Sequence, residues 1–166
     1  MNIRNVRSIV VVVLLSAFLT MVVYAEQPSL QWIQMPSAHF EVDGLTWYAE
    51  NGGELSRLPV KLKASYREPV WELAQSPSGG RIRFRPPSTP LAIRLEYPEA
   101  PDLKNMPAFG QTGIDLYVDG IYRDTAIAGH DSKPGLVQEH FFYKNQPRVD
   151  REITLYLPLY MPVKVI

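Results

Sequence analysis

Apolar and polar residues alternate with a period of two through most of the chain after residue 25. No segment there keeps a helical period of about 3.6 residues for more than two turns. Val60, Leu62 and Ala64 alternate with Lys61, Lys63 and Ser65, and Arg81-Ile82-Arg83-Phe84-Arg85 repeats the pattern with arginine outward. Leu91, Ile93, Leu95 and Tyr97 alternate with Ala92, Arg94 and Glu96, and Ile114, Leu116 and Val118 alternate with Asp115, Tyr117 and Asp119. Near the end, Ile153, Leu155, Leu157 and Leu159 alternate with Thr154, Tyr156, Pro158 and Tyr160. Successive strand side chains point to opposite faces. Each run therefore predicts a strand with one face for a core and one for water or a second surface, as in antiparallel sheets.

The residues between these runs are turn formers. Asp43-Gly44 and Asp119-Gly120 each separate two apolar runs by two residues, a hairpin signal because both residues of a type I′ turn need positive φ. Asn51-Gly52-Gly53, Ser78-Gly79-Gly80 and Pro86-Pro87 mark further turns, and 98–112 and 128–137 read as long loops. Short strands at this spacing, without a helix, predict an all-β antiparallel β-sandwich or jelly roll.

Composition sharpens this picture. All 15 prolines and 10 glycines lie after residue 25, which favours a turn-rich β protein over a helical bundle. A hydrophobic content of 46% with 11% aromatics argues against disorder, and 166 residues favour one domain. Residues 1–25 combine Arg4 and Arg7, an apolar stretch from Ile9 to Leu15, and the small residues Val23 and Ala25 before Glu26. That is the pattern of a secretory signal peptide, predicting export to periplasm, cell surface or medium. The alternative is an uncleaved membrane anchor, since Ile9–Val23 falls only a little short of the roughly 20 residues that span a bilayer. The 17 basic residues balance 17 acidic ones, and losing Arg4 and Arg7 leaves the remainder slightly acidic, so no nucleic-acid footprint is expected. With no cysteine there is no disulfide, thiolate nucleophile, zinc–thiolate site or lipid attachment.

Candidate chemistry is sparse. Gly129-His130-Asp131-Ser132 joins a histidine, a carboxylate and a hydroxyl, but adjacent residues do not generally align three side chains on one proton path, so a polar loop is expected. No Gly-x-Ser-x-Gly elbow occurs. Glu139-His140 with His130 matches no dedicated metal motif, and no cofactor is expected. The carboxylates Asp115/Asp119 and Asp119/Asp124 read as solvated hairpin residues rather than a glycosidase pair. Trp32, Trp47, Tyr48 and Trp71 are the binding candidates. Trp47-Tyr48 are consecutive on an expected strand, so one ring must face away from the core and could stack on a sugar.

Gly113-Ile114-Asp115-Leu116-Tyr117 resembles the Gly-x-Asp-Leu-Tyr signature of the N-terminal domain that precedes the catalytic domain in one group of SGNH-hydrolase-type esterases. Four further blocks occur in the family's order: Arg57-Leu58-Pro59, Val70 to Ala74, Ser78 to Phe84, and Ile153 to Tyr160 with its Leu-Pro-Leu-Tyr ending. The resemblance covers about residues 40–163, with 26–39 as lead-in and 164–166 as the start of a linker. It implies a carbohydrate-binding-module-like β-sandwich followed by an α/β catalytic domain whose serine block comes shortly after the Leu-Pro-Leu-Tyr strand. The sequence reaches Ile166 before such a block, so no catalytic residue carries over and a truncated or split esterase is expected, without activity of its own. A free-standing carbohydrate- or surface-binding module is the alternative.

Asp115 is disfavoured in a strand and shares its face with Tyr117. Gly113, Asp115, Leu116, Tyr117 and Tyr160 are therefore candidate contacts to an SGNH catalytic domain, in cis or in trans. A hydrogen bond from Asp115 fixing the 98–112 loop is the alternative. Leu155, Leu157 and Leu159 are expected in the core. Tyr156, Pro158, Tyr160, Met161 and Val163 would then be uncovered, predicting self-association in the absence of a partner.

Overall fold

The alternating runs do form strands in the computed structural model, which describes residues 30–129 and 133–166. Among these residues the strands are β1 (Glu41–Asp43), β2 (Arg81–Phe84), β3 (Leu91–Glu96) and β4 (Ile114–Val118). They continue with β5 (Ile121–Ala126), β6 (Val137–Tyr143), β7 (Ile153–Tyr156) and β8 (Lys164–Val165). A five-stranded sheet in the order β1-β2-β7-β4-β5 lies against a three-stranded sheet in the order β6-β3-β8, and every pairing is antiparallel. The expected all-β sandwich is the observed fold, although helix makes up 13% of the structure against 28% strand. The signal-peptide reading of 1–25 and the His130-Asp131-Ser132 loop lie outside the described residues.

Period-two alternation converts directly into a core. Ile82, Leu116 and Leu155 are paired across three neighbouring strands and face the second sheet, where Leu91, Ile93 and Leu95 answer them from β3. Ile114, Leu116 and Ile153 have no measurable exposure. Asp119-Gly120 is the predicted hairpin turn between β4 and β5, with φ of 51° and 77°.

Four expectations need correction. Val60–Ser65 is a 3-10 helix with no buried residue, not a strand. No strand pairs with it among the described residues, and Pro59 at its start and Asn51, whose side-chain oxygen accepts from the Val60 amide, turn the chain instead. Two short helices follow, α1 (Glu68–Ala74) and α2 (Ala108–Thr112), the latter inside the expected long loop. Pro69 and Glu68 suit the first turn of α1, but its seven residues bury only Ala74, too little for a detectable 3.6-residue stripe. Asp43-Gly44 makes no hairpin: β1 pairs with β2, and residues 46–53, carrying Trp47 and Tyr48, are turns rather than a strand. The reason is local, since the Asn51 and Gly53 amides donate back to the Trp47 and Tyr48 carbonyls.

The C-terminal run is the fourth. Ile153, Leu155 and Leu157 are buried as expected, but Leu159 is 56% exposed, whereas Pro158, Met161 and Val163 are buried. β7 ends at Tyr156, and the chain turns across the end of the sandwich to add β8 to the opposite sheet, pairing with β3. A change of sheet resets the inward phase. The uncovered surface is accordingly Tyr156, Leu159 and Tyr160, smaller than the alternation implied.

Tyr97, just past β3, is 1% exposed and donates its hydroxyl to the Thr112 carbonyl at 2.7 Å. Burial pushes the pKa of this phenol upward. Because the folded-state pKa lies above the unfolded value of about 10, the folded state retains the proton and its contribution to stability is complete below about pH 10 and lost above it. Tyr97→Phe should cost about 1–2 kcal/mol at neutral pH and weaken the alkaline decline of stability, measured by urea unfolding between pH 7 and 11. An unaltered alkaline slope would disconnect Tyr97 from it.

Candidate functional site

The Gly-x-Asp-Leu-Tyr segment begins where α2 runs directly into β4. The Gly113 amide donates to the Phe109 carbonyl at 2.9 Å, and a Cβ at Gly113 would lie 2.3 Å from that same oxygen and 3.0 Å from the Thr125 methyl. Gly113 has an ordinary φ of −59°, so glycine is required here for space and not for backbone freedom. Leu116 is wholly buried between the sheets.

The approach to this point is locked by residues that the sequence reading passed over. Gln111 is 3% exposed. Its side-chain oxygen accepts from the Leu103 amide at 3.0 Å, and its nitrogen donates to the Leu103 and Met106 carbonyls at 3.2 and 2.7 Å. Thr112, also buried, donates its hydroxyl to the Ala108 carbonyl and accepts from the Ala128 amide. The only hint of this in the sequence is a polar pair, Gln111-Thr112, entering a strand otherwise destined for the core. The long loop is therefore held by Gln111 and Thr112, while Asp115 engages the adjacent strand: its Oδ1 accepts from the Thr125 hydroxyl at 2.6 Å. Thr125 Oγ1 in turn lies 2.9 Å from the Tyr122 hydroxyl, completing a Tyr122–Thr125–Asp115 chain.

Register places Asp115 and Tyr117 on the outer face of the five-stranded sheet. One outer row reads Asp43, Arg81, Tyr156, Asp115, Thr125, and the next reads Glu41, Arg83, Thr154, Tyr117, Tyr122. The half on β1 and β2 is ionic, with Arg83 bonded to Asp43 at 2.6 Å and to Glu41 at 2.8 Å. The half on β7, β4 and β5 is aromatic. Tyr117 meets Tyr156 and Tyr122 edge to face, with centroids 5.1 and 5.8 Å apart, and Arg81 lies 6.0 Å over the Tyr156 ring. Tyr122 is 52% and neighbouring Ile121 57% exposed. Rings with an apolar body and a polar tip, packed together yet left half open, have the chemistry of a contact surface. Tyr160 is exposed as well, with its amide 3.4 Å from the Gln111 carbonyl, so it borders α2 rather than the tyrosine rows.

The remaining candidates are dispersed. Trp47 and Tyr48 lie in the turns, and Tyr48 packs on the core. Trp32 is covered by the Arg94 guanidinium, centred 3.8 Å over its ring, while Trp71 stacks with Tyr66 and faces Lys63. His39 is exposed; His140 Nε2 lies 2.9 Å from Asp124 Oδ2, and Glu139 pairs with Arg94. Asp119 caps a turn by accepting from the Glu152 amide. Among the described residues no group of three metal-ligating side chains comes together.

The family model described as GxDLY, the N-terminus of SGNH-hydrolase-type esterases, matches residues 30–166. A solved structure from Bacteroides ovatus, described as a GDSL-like lipase, superposes with a TM-score of 0.58 at 26% identity, covering 67% of this chain and 33% of its own. The salicylyl-acyltransferase SsfX3 of a tetracycline biosynthetic pathway superposes with a TM-score of 0.57 at 19% identity, covering 80% of this chain and 37% of its own, and shares the fold. This chain thus spans about a third of the length of either solved protein. No curated protein matches it significantly.

Gly113→Ala should destabilise the domain by about 1–3 kcal/mol, because the neighbour a Cβ meets is backbone and cannot swing away. Asp115→Asn should cost only about 1 kcal/mol, since the carboxamide oxygen still accepts from Thr125. Urea midpoints of the two variants would give the order, and a reversed order would refute the steric account.

Proposed function

Because the chain belongs to the family of GxDLY domains found at the N-terminus of SGNH-hydrolase-type esterases, we propose that it is a non-catalytic accessory module whose tyrosine-bearing outer face packs against an SGNH catalytic domain. The supporting observation is how the signature divides. Gly113 and Leu116 are accounted for by the sandwich itself, through steric fit and burial. Asp115 and Tyr117 point the other way, onto a half-exposed sheet face where Asp115 orients Thr125 and Tyr122 and where Tyr117 joins Tyr156. A signature that served only the fold would be satisfied inside the core. The face is half ionic and half aromatic, which suits a partner that buries a ring cluster while matching charge at its rim. The catalytic domain is joined in the same polypeptide or supplied separately, and the leader-like start directs the assembly out of the cytoplasm.

Hydrolysis is assigned to the partner. The one histidine–carboxylate pair among the described residues, His140–Asp124, ties the β6 and β5 edges together and has no serine or threonine hydroxyl bonded to its imidazole. The chain alone should therefore hydrolyse p-nitrophenyl acetate no faster than an inert protein of equal concentration. Docking is tested by replacing the matching segment of the Bacteroides ovatus lipase-like protein with this chain. In that chimera, Tyr117→Lys with Tyr156→Lys should accelerate proteolysis between the two domains several-fold while leaving the circular dichroism of the sandwich unchanged. Equal proteolysis rates would remove this face from the proposal, and esterase activity of the isolated chain would remove the non-catalytic assignment.

A further inference from the structure

The two sheets are unequal, and the mismatch leaves a space. At one side β5 and β6 lie together, closed by the Asp124–His140 pair at 2.9 Å. At the other side of the five-stranded sheet lie β1 and β2, and the smaller sheet has only three strands among the described residues. A crevice of about 460 Å³ runs in here between the sheets. Its depth is apolar, reaching the core residues Ile82, Ile93 and Leu155, and Phe40, Phe84 and Phe142 form its walls. The lead-in residues Leu30 to Ile33 border it, with Ile33 39% exposed. Protein interiors are packed like organic crystals, and a volume in the range of small-molecule sites that penetrates a core lacks the atoms such packing requires.

The polar side chains along the crevice are Gln31, His39, Ser88 and Thr89 together with three arginines. Arg85, Arg94 and Arg148 line it. Arg85 is paired with Glu152 at 2.5 Å and Arg94 with Glu139 at 3.0 Å, but Arg148 has no acidic partner among the described residues. Ser88 also lines the crevice; its buried hydroxyl lies close enough to that of Tyr143 to interact with it, and neither hydroxyl has any other hydrogen-bond partner. A guanidinium without an acidic partner and a serine hydroxyl whose one neighbour is another hydroxyl can both donate, and a carboxylate accepts from both.

We propose that this crevice binds a single-chain amphiphile with a carboxylate head, the alkyl tail lying between the sheets and the head held by Arg148 and Ser88. The site is independent of the tyrosine face and of any catalytic partner. A flat sugar ring suits it poorly, because the depth is aliphatic and phenyl and offers no array of polar partners.

Calorimetric titration of the full chain with hexanoate, octanoate and decanoate, each kept below its micellar concentration, tests this. Affinity should rise by roughly three- to fourfold for each added methylene, the increment expected for burying one CH₂. Arg148→Gln should weaken decanoate by about tenfold, the loss of a charge-assisted bond. The same variant should leave the affinity for decanol within about twofold of the unsubstituted protein. Arg123→Gln, on the exposed part of β5, should change neither ligand. Absence of binding at millimolar decanoate by the folded chain, affinity independent of tail length, or an Arg148→Gln effect equal for decanoate and decanol would each overturn the proposal.

Discussion

The sandwich depends on how tightly α2 is pressed into the start of β4. At Gly113 the backbone passes so close to the Phe109 carbonyl that no side chain fits, and on either side of that contact the structure is fastened by buried polar groups. Tyr97 reaches from the end of β3 in one sheet to the Thr112 carbonyl at the head of β4 in the other, and Thr112 receives the Ala128 amide just beyond β5. Gln111 gathers the preceding loop by three hydrogen bonds. Each of these groups is costly to bury alone and is satisfied only when the other elements are in place. The contact thus couples the two sheets as well as ordering a loop.

From that anchor the rest of the architecture follows in two directions. Inward, Ile114, Leu116 and Val118 continue from Gly113 with the phase that the tight turn sets, and β7 and β2 match them row by row. Outward, the same phase puts Asp115 and Tyr117 on the opposite face, where cross-strand neighbours supply Thr125, Tyr122 and Tyr156. A one-residue slip would exchange the two sets and bury a carboxylate, so the glycine that permits the close approach also protects the register. The signature residues are in this sense one device with two faces.

The inequality of the sheets gives the molecule its second distinctive property. Among the described residues three strands face five, and the crevice is lined by Ile82 and Phe84 of β2 and by the lead-in, away from the β5–β6 contact. There the lead-in segment provides partial cover in place of a strand, and Arg94 lies over Trp32 as part of it. The aromatic outer face and the apolar crevice consequently lie on different sides of the five-stranded sheet, so a partner domain and a small ligand would not compete for the same surface.

Much of this was legible in the chain. Period two with hydrophobic contrast determined β2, β3, β4 and β7 and their inward residues, and Asp119-Gly120 determined its hairpin, because such strands are half buried and an I′ turn admits few residues. The Gly-x-Asp-Leu-Tyr segment marked the family and the strand that bears the candidate face. What the sequence could not decide were features fixed by neighbours distant along the chain. Val60–Ser65 alternates as a strand would, yet no described strand pairs with it and its backbone bonds locally as a 3-10 helix. Leu159 continues the leucine alternation of β7, yet the chain leaves that sheet after Tyr156 to join the other, which exposes Leu159 and buries Met161 and Val163. Gln111 reads as a loop residue until Leu103 and Met106 are folded against it. Local alternation is a property of consecutive side chains, whereas the choice of sheet, the partner of a buried amide and the crevice left by unequal sheets arise only when separate segments meet, and those the tertiary structure alone decided.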